Sequence, residues 1–178
     1  MSWMNSDGLY VKFSKEEGDS ALGGAVRTSG GVHFIEVDIP YTELLSATNA
    51  IVGSVGKPGA LGVLVPEGAR IQAVETLVTT AFTSSGTIGS STLVLGLKKL
   101  SDRSTELDHD GFLTTSYVGS KLDAVGERNY QEVGTTGSGA LIGTTITENG
   151  VLSASNSAHA THPYTAGELK VRIYYFTP

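Results

Sequence analysis

Apolar residues in this chain recur with a period of two, in short runs that glycine, proline, serine and threonine keep cutting. That pattern leaves room for little except antiparallel sheet. The clearest run is at the end, where Leu169, Val171, Ile173 and Tyr175 fall on one face and Lys170, Arg172 and Tyr174 on the other. Val32 to Ile39 alternates likewise, with Ile35, Val37 and Ile39 opposed to Phe34, Glu36 and Asp38. Pro40 ends that run by removing a backbone donor. Ala69 to Phe82 is the longest candidate strand. Val74, Val78 and Phe82 share one side there while Ile71 and Leu77 fall on the other, so a bulge or burial on both faces is expected.

Thr92 to Leu97 makes a further strand with Leu93, Leu95 and Leu97 together. Leu61 to Val65, Ala140 to Ile142 and Gly150 to Leu152 read as shorter strands, the last two around the hairpin-type turn Glu148-Asn149-Gly150. Tyr41 to Ala47 can form one helical turn with Thr42 as its cap. Ser101 to Gly111 reads as a polar turn, and residues 112–133 as irregular with some helical content around Tyr117 to Glu127. The long crossover helices of a parallel βα fold are missing, and no fixed-period repeat supports a propeller or solenoid. The expectation is all-β: an antiparallel β-sandwich, jelly-roll-like, with an N-terminal arm. Its expected core includes Ile71, Val74, Val78, Leu93, Leu95, Leu97, Val171 and Ile173.

A chain of 178 residues makes one substantial core rather than two. The first thirty residues differ from the rest. Leu9, Val11 and Phe13 alternate with Tyr10, Lys12 and Ser14, and a charged break and two glycine pairs follow. We read residues 1–30 as an arm with one short strand and 31–178 as the β-sandwich domain, the other reading being that this strand edges the main sheet.

Twelve basic against 18 acidic residues give a net charge of −6. That argues against wrapping nucleic acid or docking on an anionic membrane, both of which need a basic surface. Cysteine is absent, which excludes disulfides, thiolate metal sites and thiol catalysis. Met1 to Asp7 lacks the basic start and apolar run of a signal peptide, so a reducing compartment is expected.

The densest polar constellation is Glu106, Asp108, His109 and Asp110 before Gly111, resembling the opening of a calcium loop. The closing glutamate would fall on Tyr117, so a turn capped by aspartates is expected and no metal. His159 and His162 lack a third ligand nearby and read as loop histidines, and His33 as structural. Gly53-Ser54-Val55-Gly56-Lys57-Pro58 has short glycine spacing and a proline where a phosphate loop needs a hydroxyl. Glu16-Glu17 sits in a charged turn, a poor place to hold acid and base in fixed geometry. No catalytic residue, cofactor or metal is expected, and no enzyme activity.

Six stretches, taken in order, carry a resemblance. They are Asp7-Gly8-Leu9-Tyr10-Val11-Lys12-Phe13, Val65-Pro66-Glu67-Gly68-Ala69-Arg70-Ile71, Thr80-Ala81-Phe82-Thr83, Asp108-His109-Asp110-Gly111-Phe112, Gly139-Ala140-Leu141-Ile142-Gly143-Thr144-Thr145, and the run from Tyr164 to Ile173. Together they resemble small virion structural proteins of tailed, podovirus-like marine bacteriophages, over nearly the whole chain. The resemblance implies a β-sandwich that decorates or cements a capsid on its surface. The partners it implies are the major capsid protein and further copies of the chain, a trimer being the expected count. It transfers no catalytic residue. Trp3, Met4, Tyr10, Lys12 and Phe13 are the candidate interface residues on the arm, since aromatic anchors dominate interface energetics. The rival reading is a virion-exposed module of a head fibre or tail that binds host-surface glycans, with Tyr117, Tyr130 and Tyr164 as exposed loop aromatics.

Overall fold

In a computed structural model of the protein, the described residues are 2–4, 10–12, 25–29, 32–53 and 62–177. Their strands are β1 (Ser2–Met4), β2 (Tyr10–Lys12), β3 (Ala25–Ser29), β4 (Val32–Pro40), β5 (Ala50–Ile51) and β6 (Leu64–Val65). After these come β7 (Arg70–Ser84), β8 (Val94–Lys99), β9 (Glu106–Leu113), β10 (Arg128–Gln131), β11 (Gly150–Ser155) and β12 (Tyr164–Phe176). Among the described residues the only helical pieces are 3-10 turns at Tyr41–Leu44, Ile88–Ser90 and Gly119–Lys121. None of their helices is long and apolar enough to cross a membrane.

One sheet runs β10-β7-β12-β4-β3 and the other β5-β11-β8-β9, with β6 also on β11; every strand pairing is antiparallel. The inner faces meet in a single apolar cluster. From the first sheet it takes Ile35, Val37 and Ile39, then Ile71, Val74, Val78 and Phe82, then Leu169, Val171 and Ile173. From the second come Leu95, Leu97, Leu113, Leu152 and Ala154. All eight residues expected in the core are there, none more than 1% exposed. Full burial of a side chain of this size contributes roughly 1.5–3 kcal/mol, and the sandwich is the arrangement that lets both sheets collect it.

The odd spacing along β7 is explained by bulges. Tyr174 pairs with Ala73 but Tyr175 with Ile71, which leaves Gln72 as an extra residue. Leu169 pairs with Val78 but Glu168 with Thr80, which leaves Thr79 extra. Each insertion resets the alternation, so Ile71 and Val74 are both buried although three residues apart.

β9 carries a larger insertion. Leu95 pairs with Leu113 and Leu97 with Asp108, so four residues of β9, His109 to Phe112, stand opposite Gly96 alone. Gly96 is required there: a Cβ on it would lie 2.2 Å from the carbonyl oxygens of Asp108 and His109.

Several expectations are corrected. Ser101 to Gly111 does not end as a turn, since β9 begins at Glu106. Its acidic residues sit on an edge strand, where exposed charge is tolerated and discourages further pairing. Ala140 to Ile142 is a turn, not a strand. Gly143, at φ +90°, reverses the chain there, yet Ile142 is still buried. Asn149-Gly150 therefore makes no hairpin with that segment, and β11 pairs instead with β8, β5 and β6. Thr42 does not cap the Tyr41–Leu44 turn, which Pro40 precedes without a side-chain cap. The stretch read as irregular contains β10, which extends β7 on its far side.

Among the described residues of 1–30, three strand segments are present where one strand was expected. β1 and β2 pair with each other, and β3 pairs with β4 from Ala25↔Glu36 to Ser29↔Val32. The expected strand is found over Tyr10–Lys12, whereas Leu9, Phe13, Glu16-Glu17 and the glycine segment after Gly53 lie outside the described residues.

The Gly96 contact gives a paired test. Gly96→Ala must push apart two backbone segments and is expected to cost roughly 1–3 kcal/mol, as overpacking does. Gly89→Ala, where an added Cβ meets nothing within 4 Å, is expected to stay within about 0.5 kcal/mol of the parent. Urea denaturation of the two variants measures both, and equal stabilities would contradict the close approach of β8 and β9.

Candidate interaction surface

The sequence singles out Trp3, Met4, Tyr10, Lys12 and Phe13. The structure brings the first four together in one ribbon, where Ser2 pairs with Lys12, Trp3 with Val11 and Met4 with Tyr10. Phe13 lies outside the described residues. A two-stranded ribbon of three pairs is marginal in water, because it gains few backbone bonds for the entropy it loses.

A second surface, absent from the sequence-derived candidates, is the outer face of the β10-β7-β12-β4-β3 sheet. Its centre is Arg172 on β12, which donates from Nε to Glu36 Oε2 on β4 at 2.7 Å and from Nη1 to Glu75 Oε2 on β7 at 3.4 Å. Lys170 bridges Glu36 and Asp38, both at 3.0 Å, and Arg128 on β10 reaches Glu75 at 3.3 Å. The Tyr174 hydroxyl also donates to Glu75, at 2.7 Å.

Burial alone would raise the Glu36 carboxyl, but hydrogen bonds from Arg172 and Lys170 outweigh it and hold the pKa below the usual value. Lys170 is raised by its bonds to Asp38 and Glu36. Single exposed ion pairs contribute little to stability; this set cross-links four strands and fixes their charges in place. An aromatic row runs beside it, Phe34 to Tyr174 at 5.8 Å and Tyr174 to Tyr130 at 6.2 Å, with the Arg172 guanidinium 5.9 Å from the Phe34 ring. The signal was the polar half of the alternation, Lys170, Arg172 and Tyr174, whose partners on β4 and β7 no local pattern reveals.

The acidic constellation is only partly assembled. Asp108, His109 and Asp110 project from the β9 bulge with potential ligand atoms within 4.8 Å of one another. The Asp110 N–H donates to Asp108 Oδ1 at 3.3 Å, and His109 Nδ1 lies 3.5 Å from Asp110 Oδ1. Glu106 does not join them, for it pairs with Lys98 at 3.3 Å. Tyr117, at the position of the missing closing ligand, is fully buried. Burial, with the neighbouring Asp110 adding to it, raises the Asp108 carboxyl above its ordinary value. Asp108 and Asp110 thus share one bulge rather than facing each other across a cleft.

Two of the histidines, His162 and His33, have structural work. His162 Nδ1 accepts the Thr87 N–H at 3.1 Å, and its carbonyl takes hydrogen bonds from Asn156 Nδ2 and Ser91 Oγ. The ring of His33 stacks on Tyr175 at 5.4 Å.

Of the three tyrosines expected in exposed loops, two are buried. The Tyr117 hydroxyl hydrogen-bonds Thr76 Oγ1 inside the sandwich, and burial pushes its pKa up to about 12. Tyr164 packs edge-on against Phe82 at 4.9 Å, and burial raises its pKa too. Apolar neighbours claimed both rings, and only Tyr130 is exposed, at 54%.

No protein-family model matches the sequence, and no curated protein matches it. Among solved structures, the chain is similar to one from the capsid of Ralstonia phage GP4. The TM-score is 0.51 at 13% identity, over 85% of this chain and 87% of that one. It is also similar to a chain of the capsid asymmetric unit of cyanophage Pam1, with a TM-score of 0.44 at 18% identity over 98% of each. At 13% identity the first of these likenesses shows a shared fold.

Asp108 gives a pH prediction. A carboxyl whose pKa is higher folded than unfolded holds a proton that unfolding releases. The contribution of this group to stability therefore rises as pH falls from neutral through the raised value, and levels off below the ordinary 3.8. Asp108→Asn keeps an oxygen for the Asp110 N–H and removes the charge, so it should raise the melting temperature at neutral pH. That gain should vanish below the ordinary carboxyl pKa; thermal melts across the range check this, and a neutral-pH loss would contradict it.

Proposed function

We propose that this chain is a non-enzymatic structural component of a tailed-phage virion, which decorates or cements the capsid surface by protein–protein contacts. Its partners are the major capsid protein and further copies of itself. The observation that carries this reading is the likeness to the Ralstonia phage capsid chain, because it spans 85% of this chain and 87% of that one rather than a local motif. The chemistry of the described residues supports it. Glu36, Glu75 and Glu106 are held in ion pairs, His162 accepts the Thr87 N–H, and Tyr117 and Tyr164, two of the three tyrosines expected to serve glycan recognition, are in the core.

We retain the division into an N-terminal arm and a sandwich body as part of the proposal. β3 already belongs to the body's sheet, so the arm proper precedes Ala25. Extended segments suit assembly because backbone pairing supplies affinity without special side chains. Many copies on one shell turn a weak single contact into firm attachment.

The test is addition of the purified chain to shells that lack it. The full chain should saturate a fixed number of sites and stay bound through a salt and heat challenge. Deletion of Met1 to Ser14 should leave a cooperatively melting sandwich that washes off. Failure of the full chain to bind shells would overturn the virion role. Normal retention of the truncated chain would overturn the role of the arm alone.

A further inference from the structure

The β1–β2 ribbon and the β10 edge are each incomplete, and in complementary ways. β10 is the last strand of its sheet, so on its outer side alternate residues turn N–H and C=O groups away from β7. The exposed apolar side chains gather there. Val125 at 68%, Tyr130 at 54% and Val133 at 70% lie just before, within and just after β10, and they are half of the exposed large hydrophobics among the described residues. The same stretch is acidic. Asp123, Glu127 and Glu132 outnumber Arg128, which Glu75 already engages at 3.3 Å. The ribbon differs on both counts: its described residues include Lys12 and no acidic residue, and among the described residues its two strands pair only with each other.

We propose that β10 is the docking edge for the β1–β2 ribbon of a second copy of this chain, which joins the five-stranded sheet by strand addition. This rests on the reading of the N-terminal segment as an arm that reaches a neighbour. The sheet order argues for a second copy over the same one. The chain enters the sheet at β3, and β10 lies on the opposite edge, four strand spacings or about 19 Å away. A ribbon leaving the β3 edge of one copy meets the β10 edge of the next in a head-to-tail contact, which closes into a ring when the rotation permits. Docking also covers the exposed Val125, Tyr130 and Val133 and brings the strand that carries Lys12 to the edge that carries Glu127 and Glu132.

Analytical ultracentrifugation of the full-length chain tests the proposal. The parent should self-associate with concentration. Lys12→Glu and Glu132→Lys, each with an unchanged melting temperature, should weaken association about tenfold, and the combined variant should recover most of the loss. Val133→Asp, at an exposed side chain, should weaken association without touching the charges of the pair. A parent that stays monomeric throughout its soluble range, variants that associate like the parent, or a combined variant that recovers nothing would each overturn it. Shell binding by the same proteins keeps the two readings apart. A parent that self-associates but ignores shells sinks the virion role only, and one that coats shells as a monomer sinks the docking only.

Discussion

β12 is hydrogen-bonded on both sides, to β7 from Tyr164 to Phe176 and to β4 from Glu168 to Tyr175, and the placement of the first sheet follows from that register. Because side chains alternate, a slip of one residue would carry Leu169, Val171 and Ile173 to the outer face and Lys170, Arg172 and Tyr174 into the core. Both faces therefore specify the same pairing. Inside, the aliphatic row completes the cluster with Leu95, Leu97 and Leu152 of the second sheet. Outside, Glu36, Arg172 and Glu75 meet in one line across β4, β12 and β7 only in this register. The bulges of β7 let a long strand follow the twist of the sandwich without breaking that agreement.

The second sheet is held differently. Gly96 lets the β9 bulge fold down against β8, and buried polar side chains tie the strands around it. Asn49 Nδ2 donates to Ser153 Oγ and to the His109 carbonyl, and Ser155 Oγ donates to Asn49 Oδ1. Asn156 Oδ1 accepts the Thr92 N–H. Such a network is stable only when its members are satisfied together, and it gives this half of the sandwich one defined arrangement. Asp108 and Asp110 are then half-buried residues of a structural bulge, and Glu106 is exposed beside it.

What was legible in the sequence was the part that depends on alternation. Leu169 to Tyr175 and Ile35 to Ile39 name their own faces, and the break in phase along Ile71 to Phe82 announced bulges that are present. Ala140 to Ile142 misled because an apolar triplet between glycines serves a buried turn as well as a strand. β9 and β10 were missed because edge strands are paired on one side only, and Glu106 to Asp110 and Arg128 to Gln131 carry the polar residues that edges tolerate. Tyr117 and Tyr164 looked like loop aromatics because their core partners, Thr76 and Phe82, lie far away in sequence. Trp3, Met4, Tyr10 and Lys12 were grouped by proximity along the chain alone, and it is the β1–β2 register that places them in one ribbon.

A self-consistent sandwich carries an N-terminal ribbon that is marginal by itself, and the neighbour we propose for that ribbon lies within a phage shell. A cryo-EM map of the intact particle tests this most directly. The account predicts repeated density on the outer capsid surface that fits the two sheets, with the N-terminal segment of each copy leaving its own body for an adjacent subunit. A particle whose surface has no such density, or in which every N-terminal segment is folded back on its own sandwich, would contradict it.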